Sequence, residues 1–324
     1  MDAFQPDTVA IKLVNRLKVR HLALLLQIQE HGSLTRVAEH MSTSQPAVTH
    51  ALAELEDMFG TRLFERSARG MAVTEQGVVV LDRARAMLND LGSLTLDMEA
   101  VAAGREAHLH VGVTPFVSGQ LLSQAIQRAA LESKSLMITL HDGTSAQLLP
   151  RLQDHTLDLF IGRAVATVDM AGVQHEVLYH QPPRLIASRR LTARLARARL
   201  DWPLLLDMDW ILGPRHTAIR NQVINLFLQA GLAPPLPIIE TQSAKLIGEM
   251  IAASDRCVSI VPADIAEELA RVAGVAIVPY SFEWTLPPIA LFTRSEGRPR
   301  EAGARFAQAL RASLTATGRS GHAE

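Results

Sequence analysis

The sequence predicts an all-α N-terminal segment closed by a short hairpin, then one long helix, then an alternating α/β region. Three observations carry this. Apolar residues recur at helical spacing from Lys18 to Phe59, with two breaks, at His31-Gly32 and at Met41-Ser42-Thr43. From Glu75 to about Ala103 no proline interrupts a similar spacing. After Gly104, strand-like runs alternate with helix-like stretches.

The first helix, about 18–30, presents Val19, Leu22, Leu25, Leu26 and Ile28. It stops at His31-Gly32, where glycine can take positive φ. Ser33 is placed to cap the next helix, which runs to Met41 on Leu34, Val37 and Ala38. Thr43 or Ser44 caps the third. Pro46 falls in its first turn, where a missing N–H costs nothing. Val48, Leu52, Leu55 and Phe59 form its apolar stripe, and Gln45, Thr49, His50 and Ala53 lie opposite. From Arg62 to Thr74 two short strands flank the turn Ser67-Ala68-Arg69-Gly70. Three helices and a hairpin in this order make a winged helix-turn-helix. Gln45 and Thr49 carry groups that match base edges in a major groove. Arg66 and Arg69, at the hairpin tip, suit the negative potential of a narrow minor groove.

These residues also carry a family resemblance. The runs are Gly32-Ser33-Leu34-Thr35-Arg36-Val37-Ala38-Glu39, Ser44-Gln45-Pro46-Ala47-Val48-Thr49, Leu55-Glu56, Arg62-Leu63-Phe64-Glu65-Arg66 and Thr74-Glu75-Gln76-Gly77. In register over about 60 residues, this pattern resembles the LysR-type transcriptional regulators. The resemblance implies a DNA-binding regulator. Gln45, Pro46, Thr49 and His50 would meet bases or nearby backbone, and Ser33, Thr35 and Ser44 would sit near phosphates. Family members often carry arginine where this chain has His50. Histidine is shorter and mostly neutral at pH 7, so a weaker contact or a different base is expected there.

The long helix sets Leu81, Ala84, Leu88, Leu91, Leu94, Met98 and Val101 in a coiled-coil-like seam. One helix cannot bury such a seam on itself, so it packs either against the chain's own domains or in a homodimer, and the homodimer is expected. The resemblance adds dimers assembled into tetramers and leaves contact with the transcription machinery open.

Beyond Gly104, strands are expected at His108–Val113, Leu136–Leu140, Leu157–Ile161, 185–188, 236–240, 257–261, 275–279 and Ile289–Thr293. Helices are expected near 119–132, 145–154, 217–230, 243–253, 263–271 and 301–314. The alternation predicts a mostly parallel sheet covered on both faces. The resemblance implies two α/β subdomains like those of type 2 periplasmic binding proteins, with a small-molecule effector in the cleft. The expected division is an extension 1–17, a DNA-binding domain 18–74, a linker helix 75–104, an effector domain 105–316 and a flexible tail 317–324. Subdomain one takes 107–178 and 285–316, and subdomain two takes 179–284. Cleft candidates stand where strands end and helices begin: Thr114, Phe116, Ser118, Thr144, Ser145 and Arg163 in subdomain one, and Pro214, Thr217, Thr241 and Ser243 in subdomain two. Taken with the resemblance, their hydroxyls and Arg163 suit a small anion, such as an organic or aromatic acid. Each Ser or Thr also suits an ordinary helix cap.

Composition narrows the alternatives. The 324 residues are 48% hydrophobic and 20% charged with net charge −1, so no bulk field draws the chain to nucleic acid. Residues 1–74 hold eight Lys/Arg and eight Asp/Glu, so DNA contact must come from local placement. The single cysteine, Cys257, opens an apolar strand and is read as a small buried hydrophobe. With no signal-peptide pattern and no apolar run near the ~18–20 residues of a membrane span, a cytoplasmic protein without membrane contact is expected. No dinucleotide, phosphate-loop, nucleophile-elbow or zinc motif occurs, so neither enzyme, cofactor nor metal is expected. Two other readings share the C-terminal fold: a transport-type solute-binding protein, and a regulator that has lost effector sensing.

Overall fold

The computed structural model describes residues 6–316 except 68–69, 103, 105–106, 133–135, 165–169, 216, 273 and 296–300. The chain divides into two compact units, residues 1–103 with 153–156, and 104–152 with 157–324. The expected tail 317–324 and the turn residue Arg69 lie outside the described residues.

The first unit runs α1 (Pro6–Arg16), α2 (Val19–His31), α3 (Leu34–His40), α4 (Gln45–Phe59), β1 (Phe64–Ser67), β2 (Gly70–Val73) and α5 (Glu75–Ala102). Helix α2 ends as its sequence directs. Gly32 takes φ 62° and its N–H closes on the Ile28 carbonyl. Ser42 forms the tight turn after α3 at φ 51°, a left-handed conformation unusual for a residue with a Cβ. Ser44 Oγ accepts from Ala47 N, and Pro46 occupies the first turn of α4. Leu25, Ile28, Val37, Leu55 and Leu63 meet in a core sealed from solvent. The hairpin β1–β2 is docked on this core: Met71 N donates to Gly32 O at 2.8 Å.

Within the N-terminal extension, α1 forms a helix, in keeping with the partly helical character expected there. None of α1 is buried, but Lys12 Nζ donates to Asp57 O at 3.1 Å, and Arg16 meets Asp57 at 3.1 Å and Glu54 at 3.5 Å. In α5, Leu81 and Ala84 are buried, whereas Leu91, Leu94, Met98 and Val101 are exposed.

The second unit contains two mixed sheets of five strands. One, ordered β4-β3-β5-β12-β6, uses β3 (Ala107–Val113), β4 (Leu136–Asp142), β5 (Leu159–Arg163), β6 (Val173–Tyr179) and β12 (Ile289–Arg294). Helices α6 (Gly119–Glu132) and α13 (Glu301–Ala316) cover one face over Leu121, Phe306 and Leu310. Helix α7 (Ser145–Gln153) covers the other, over the stacked rings of Phe160 and Phe292.

The second sheet, ordered β11-β7-β10-β8-β9, uses β7 (Pro183–Ser188), β8 (Asp209–Leu212), β9 (Pro237–Glu240), β10 (Cys257–Pro262) and β11 (Val275–Ile277). Helices α8 (Arg189–Leu195), α9 (Trp202–Leu206) and α10 (Ala218–Gln229) pack over Trp210 and Phe227. Helices α11 (Ala244–Ala253) and α12 (Ala263–Val272) pack on the other face, where Cys257 is buried.

Neither sheet is mostly parallel, as the alternation had predicted. In the first, β3 pairs parallel with β4 and β5, but β12 runs antiparallel to β5 and β6. In the second, β8 pairs parallel with β9 and β10, but β7 runs antiparallel to β10 and β11. The reversal has a local cause. The chain enters the second sheet along β7 and returns to the first along β12, so these two strands oppose the βα repeats beside them, whereas β6, paired antiparallel with β12, runs with β5.

Candidate functional site

In the first unit α4 presents one polar face. Gln45 and His50 are exposed and Thr49 is half-buried, while Val48, Leu52 and Leu55 point into the core. Gln45 Nε2 donates to Thr49 Oγ1 at 2.8 Å, and Thr49 Oγ1 donates to Gln45 O at 3.0 Å. The two side chains therefore hold one another in place, leaving the Gln45 amide oxygen and its second N–H for a partner. Ser44 is spent as a cap, and Pro46 and Thr35 are exposed. Ser33 begins α3 with extended backbone but makes no capping hydrogen bond, so its hydroxyl is open. Arg66 lies exposed on β1.

The even charge balance of this unit is resolved by α1. Glu54 and Asp57 pair with Arg16. Glu56 Oε1 accepts from Leu63 N at 2.8 Å and Phe64 N at 3.2 Å. These carboxylates of α4 are thus held within the unit. His21 is buried, and Lys18 N donates to its Nδ1 at 3.3 Å. Burial pushes its pKa below the usual histidine range.

In the second unit the subdomain-one candidates separate into two groups. Thr114, Ser145 and Gly162 converge at the C-terminal ends of β3 and β5. A Cβ on Gly162 would stand 2.5 Å from Thr114 Cγ2 and 3.0 Å from Ser145 Oγ, so only glycine fits. Ser145 Oγ also accepts from Arg163 N at 3.3 Å. Thr144 turns away to bond Gln147 Oε1 through both its N–H and its hydroxyl.

The other group is spent on joining the subdomains. Ser118 is fully buried. Its Oγ donates to Glu268 Oε1 at 2.6 Å and accepts from Leu121 N. Phe116 adopts φ 67° and its ring packs on the apolar cluster of α11 and α12. Its carbonyl accepts from Gln181 Nε2 at 2.9 Å. Gln181 also donates to Asp264, whose Oδ2 accepts from Tyr179 OH at 3.0 Å. Trp284 Nε1 donates to Gln181 O at 2.7 Å, tying the two crossover segments together. Arg163 belongs to this clasp. Its guanidinium donates to Pro287 O and Gln181 Oε1. The carboxylate-clamping role expected for it finds both these Nη groups already occupied. Burial pushes its pKa down to about 10, with Tyr179 and Asp264 acting the other way, so it remains a cation at neutral pH.

The subdomain-two candidates stand at two helix starts. Thr217 caps α10, accepting from Arg220 N and donating to Pro214 O at 2.8 Å. Ser243 caps α11, and its own N–H donates to Thr241 Oγ1 at 3.1 Å. Thr241 N returns to Leu212 O, which fixes the loop after β9 against the end of β8. Sequence reasoning missed Tyr179 and Gln181, and Asp264 and Glu268, two pairs that lie far apart in the chain. It also missed Arg220, which carries a legible signal: an arginine in the same helical phase as the buried Val223 and Phe227.

Comparison with known proteins agrees with this division. Residues 19–78 match the helix-turn-helix model of bacterial regulatory proteins of the lysR family, and residues 102–315 match the LysR substrate binding domain. The regulator GbpR of Azospirillum brasilense is 30% identical over 307 residues, covering 92% of this chain and 86% of the relative. PcaQ of Agrobacterium fabrum is 30% identical over 310 residues, covering 91% and 94%. CbnR, solved with its target DNA, superposes at TM-score 0.56 with 23% identity over 92% of this chain and all of that one. Corynebacterium glutamicum LysG, solved with bound effector Arg, reaches TM-score 0.59 at 20% identity over 93% and 99%. Among the described residues no helix is long and apolar enough to cross a membrane. With both family models matched in order and relatives aligned along most of its length, the chain belongs to the LysR-type transcriptional regulators, DNA-binding proteins and not enzymes.

Proposed function

We propose that this regulator reads a split DNA site in the cytoplasm as a homodimer, itself able to pair into a tetramer, and that a small organic acid between its two α/β subdomains controls it. Gln45, Pro46, Thr49 and His50 meet the major groove, and Arg66 with Arg69 meets the minor groove. Ser33, Thr35 and Ser44 lie along the phosphates. The exposed apolar half of α5, Leu91 to Val101, supports pairing with a second copy, since that stripe is otherwise left to water. The effector lies against Thr114 and Ser145 from one subdomain and the capped loops of Pro214, Thr217, Thr241 and Ser243 from the other.

The observation that carries the cleft reading is the convergence of Thr114 and Ser145 on Gly162, a place where any side chain would intrude. The close packing on Gly162 holds the Thr114 and Ser145 side chains together at strand C-termini, the place where open α/β sheets bind ligands. The clasp of Ser118, Tyr179, Gln181 and Asp264 supports a hinge. A ligand that binds the clasped and opened arrangements unequally shifts their balance and so the spacing of the DNA-reading heads.

Selection of bound sequences from a random duplex pool tests this. The expected result is a split, roughly symmetric site, weakened by Gln45→Ala and Arg66→Ala. Binding without sequence enrichment that falls steeply with salt would mean phosphate attraction alone. Addition of organic acids to the selected site then tests control: an acid that binds yet leaves affinity and DNA bend unchanged removes the regulatory reading.

A further inference from the structure

We infer that Arg220, at the start of α10, is the seat of the effector's acid group, and that the ligand is a monocarboxylate. This rests on the cleft reading above and names the anion site within it.

Arg220 is only 5% exposed, and its Nε and Nη1 have no hydrogen-bond partner. A buried polar group left unpaired in a native fold calls for an explanation, and a buried cation more so. Neutralisation is no escape. Burial lowers the pKa of Arg220, but a guanidinium holds its proton across the physiological range. The helix end makes matters worse, because the positive end of the α10 dipole repels a cation there.

The surroundings lack one negative charge. The charges that act on Arg220 are Glu240, which favours it, and Arg215, which opposes it. Glu240 ends β9 and is drawn to Arg215, whose Nε lies 3.8 Å from its Oε1. Two arginines against one glutamate leave a surplus of about one positive charge. Their positions put this surplus at the C-terminal ends of β8 and β9, beside the Thr217 cap and the Thr241 loop. A single carboxylate balances it, and either edge of a guanidinium offers two N–H groups to a planar carboxylate. Below Arg220 the same face of α10 carries Val223 and Phe227, both sealed in the core of subdomain two, so Arg220 has apolar neighbours on its inner side. Arg163 does not compete for this role, since its Nη groups serve the clasp.

Thermal unfolding of the full chain tests this, read by fluorescence of Trp202, Trp210 and Trp284. The probes are sodium acetate, benzoate and sulfate against sodium chloride at fixed ionic strength. The expected result is a saturable rise in melting temperature with the carboxylates. Arg220→Met should lose that rise, yet melt no lower than the wild type in chloride, because an unpaired buried charge has gone. Arg220→Lys should keep a weaker response. A structural arginine would instead show a lower melting temperature in Arg220→Met with the carboxylate response intact, and that result overturns the assignment. A sulfate rise equal to that of the carboxylates, or a wild type that answers no probe beyond chloride, overturns it as well. Loss of the response in Ser145→Ala but not in Arg220→Met keeps the cleft reading and moves the acid to subdomain one. Loss in Arg220→Met, with operator binding indifferent to the acid in the wild type, keeps the Arg220 site and removes its regulatory role.

Discussion

Gly77 and Gly92 both lie in α5, and replacing each by alanine should change stability in opposite directions. On helix propensity alone both changes stabilise, by up to about 1 kcal/mol, because alanine loses less freedom on folding. The surroundings separate them. A Cβ on Gly92 meets nothing within 4 Å. A Cβ on Gly77 would stand 2.1 Å from Leu63 O and 2.9 Å from Val73 Cγ1, whereas real Cβ atoms essentially never approach within 3.0 Å. The nearest atom is backbone and cannot rotate away. It is also fixed, since Thr74 N donates to Leu63 O at 3.0 Å and Thr74 Oγ1 accepts from Gly77 N at 3.0 Å. Relief requires α5 to withdraw from the hairpin. Overpacking costs about 1–3 kcal/mol. Losing the Thr74–Leu63 bond adds about 1 kcal/mol. Set against the propensity gain, Gly77→Ala should destabilise by roughly 1–3 kcal/mol and Gly92→Ala should stabilise by up to about 1 kcal/mol. All three tryptophans and both tyrosines belong to the second unit. Comparing circular dichroism with tryptophan fluorescence during denaturant unfolding therefore isolates the first unit. Equal stabilisation by the two substitutions would refute the reasoning.

Four further outcomes follow from other sites. His21 has a folded pKa below its unfolded value, so its contribution is present above about pH 6.5 and is lost as pH falls through that value toward the folded pKa. Stability of the first unit should fall from pH 7.5 to 5.5, and His21→Gln, which keeps an acceptor for Lys18 N, should flatten the slope. Ser42→Gly relieves a left-handed serine costing about 1–2 kcal/mol and frees the unfolded chain by about 0.5–1 kcal/mol, so a net gain near 0.5–1 kcal/mol should appear in denaturant melts. Gly162→Ala, with its Cβ 2.5 Å from Thr114 Cγ2, should abolish effector-dependent melting shifts while leaving DNA affinity without effector unchanged. Asp264→Asn exchanges an acceptor for a donor opposite Gln181 Nε2, and should weaken the hinge clasp, read as faster amide exchange at residues 116–121 and 179–182.

Much of this was legible because local signals agreed with the fold. Gly32 and Pro46 punctuate the N-terminal helices, and α6, α10, α11 and α12 appear close to their expected spans. Other parts were not legible, for identifiable reasons. Strand β6 reads Val-Gln-His-Glu-Val-Leu-Tyr and is exposed over most of its length, so no apolar alternation marks it. Strand β8 has four residues and gains its identity from its neighbours β9 and β10. The seven residues of α8 and five of α9 are too short to show a period. Ser118 looked like a ligand contact because a serine opening a helix after a strand serves either purpose. Its partner Glu268 is 150 positions away, and no local pattern reports that pairing.

The docking of the hairpin on α2 has a thermodynamic consequence. Gly70 takes φ 118°, and a Cβ there would lie 2.4 Å from Gly32 O, the carbonyl that accepts from Met71 N. Hairpin and helical core are therefore one solid piece before any DNA arrives. Association pays little for ordering, so its heat-capacity change should reflect the area covered at the interface without the larger contribution of coupled folding. It also means that the groove contacts proposed for α4 and for the hairpin cannot be tuned separately. A signal that alters DNA affinity must then act on the distance or angle between two such pieces, and an isolated first unit should bind a half-site with the same heat capacity whether or not the effector is in solution.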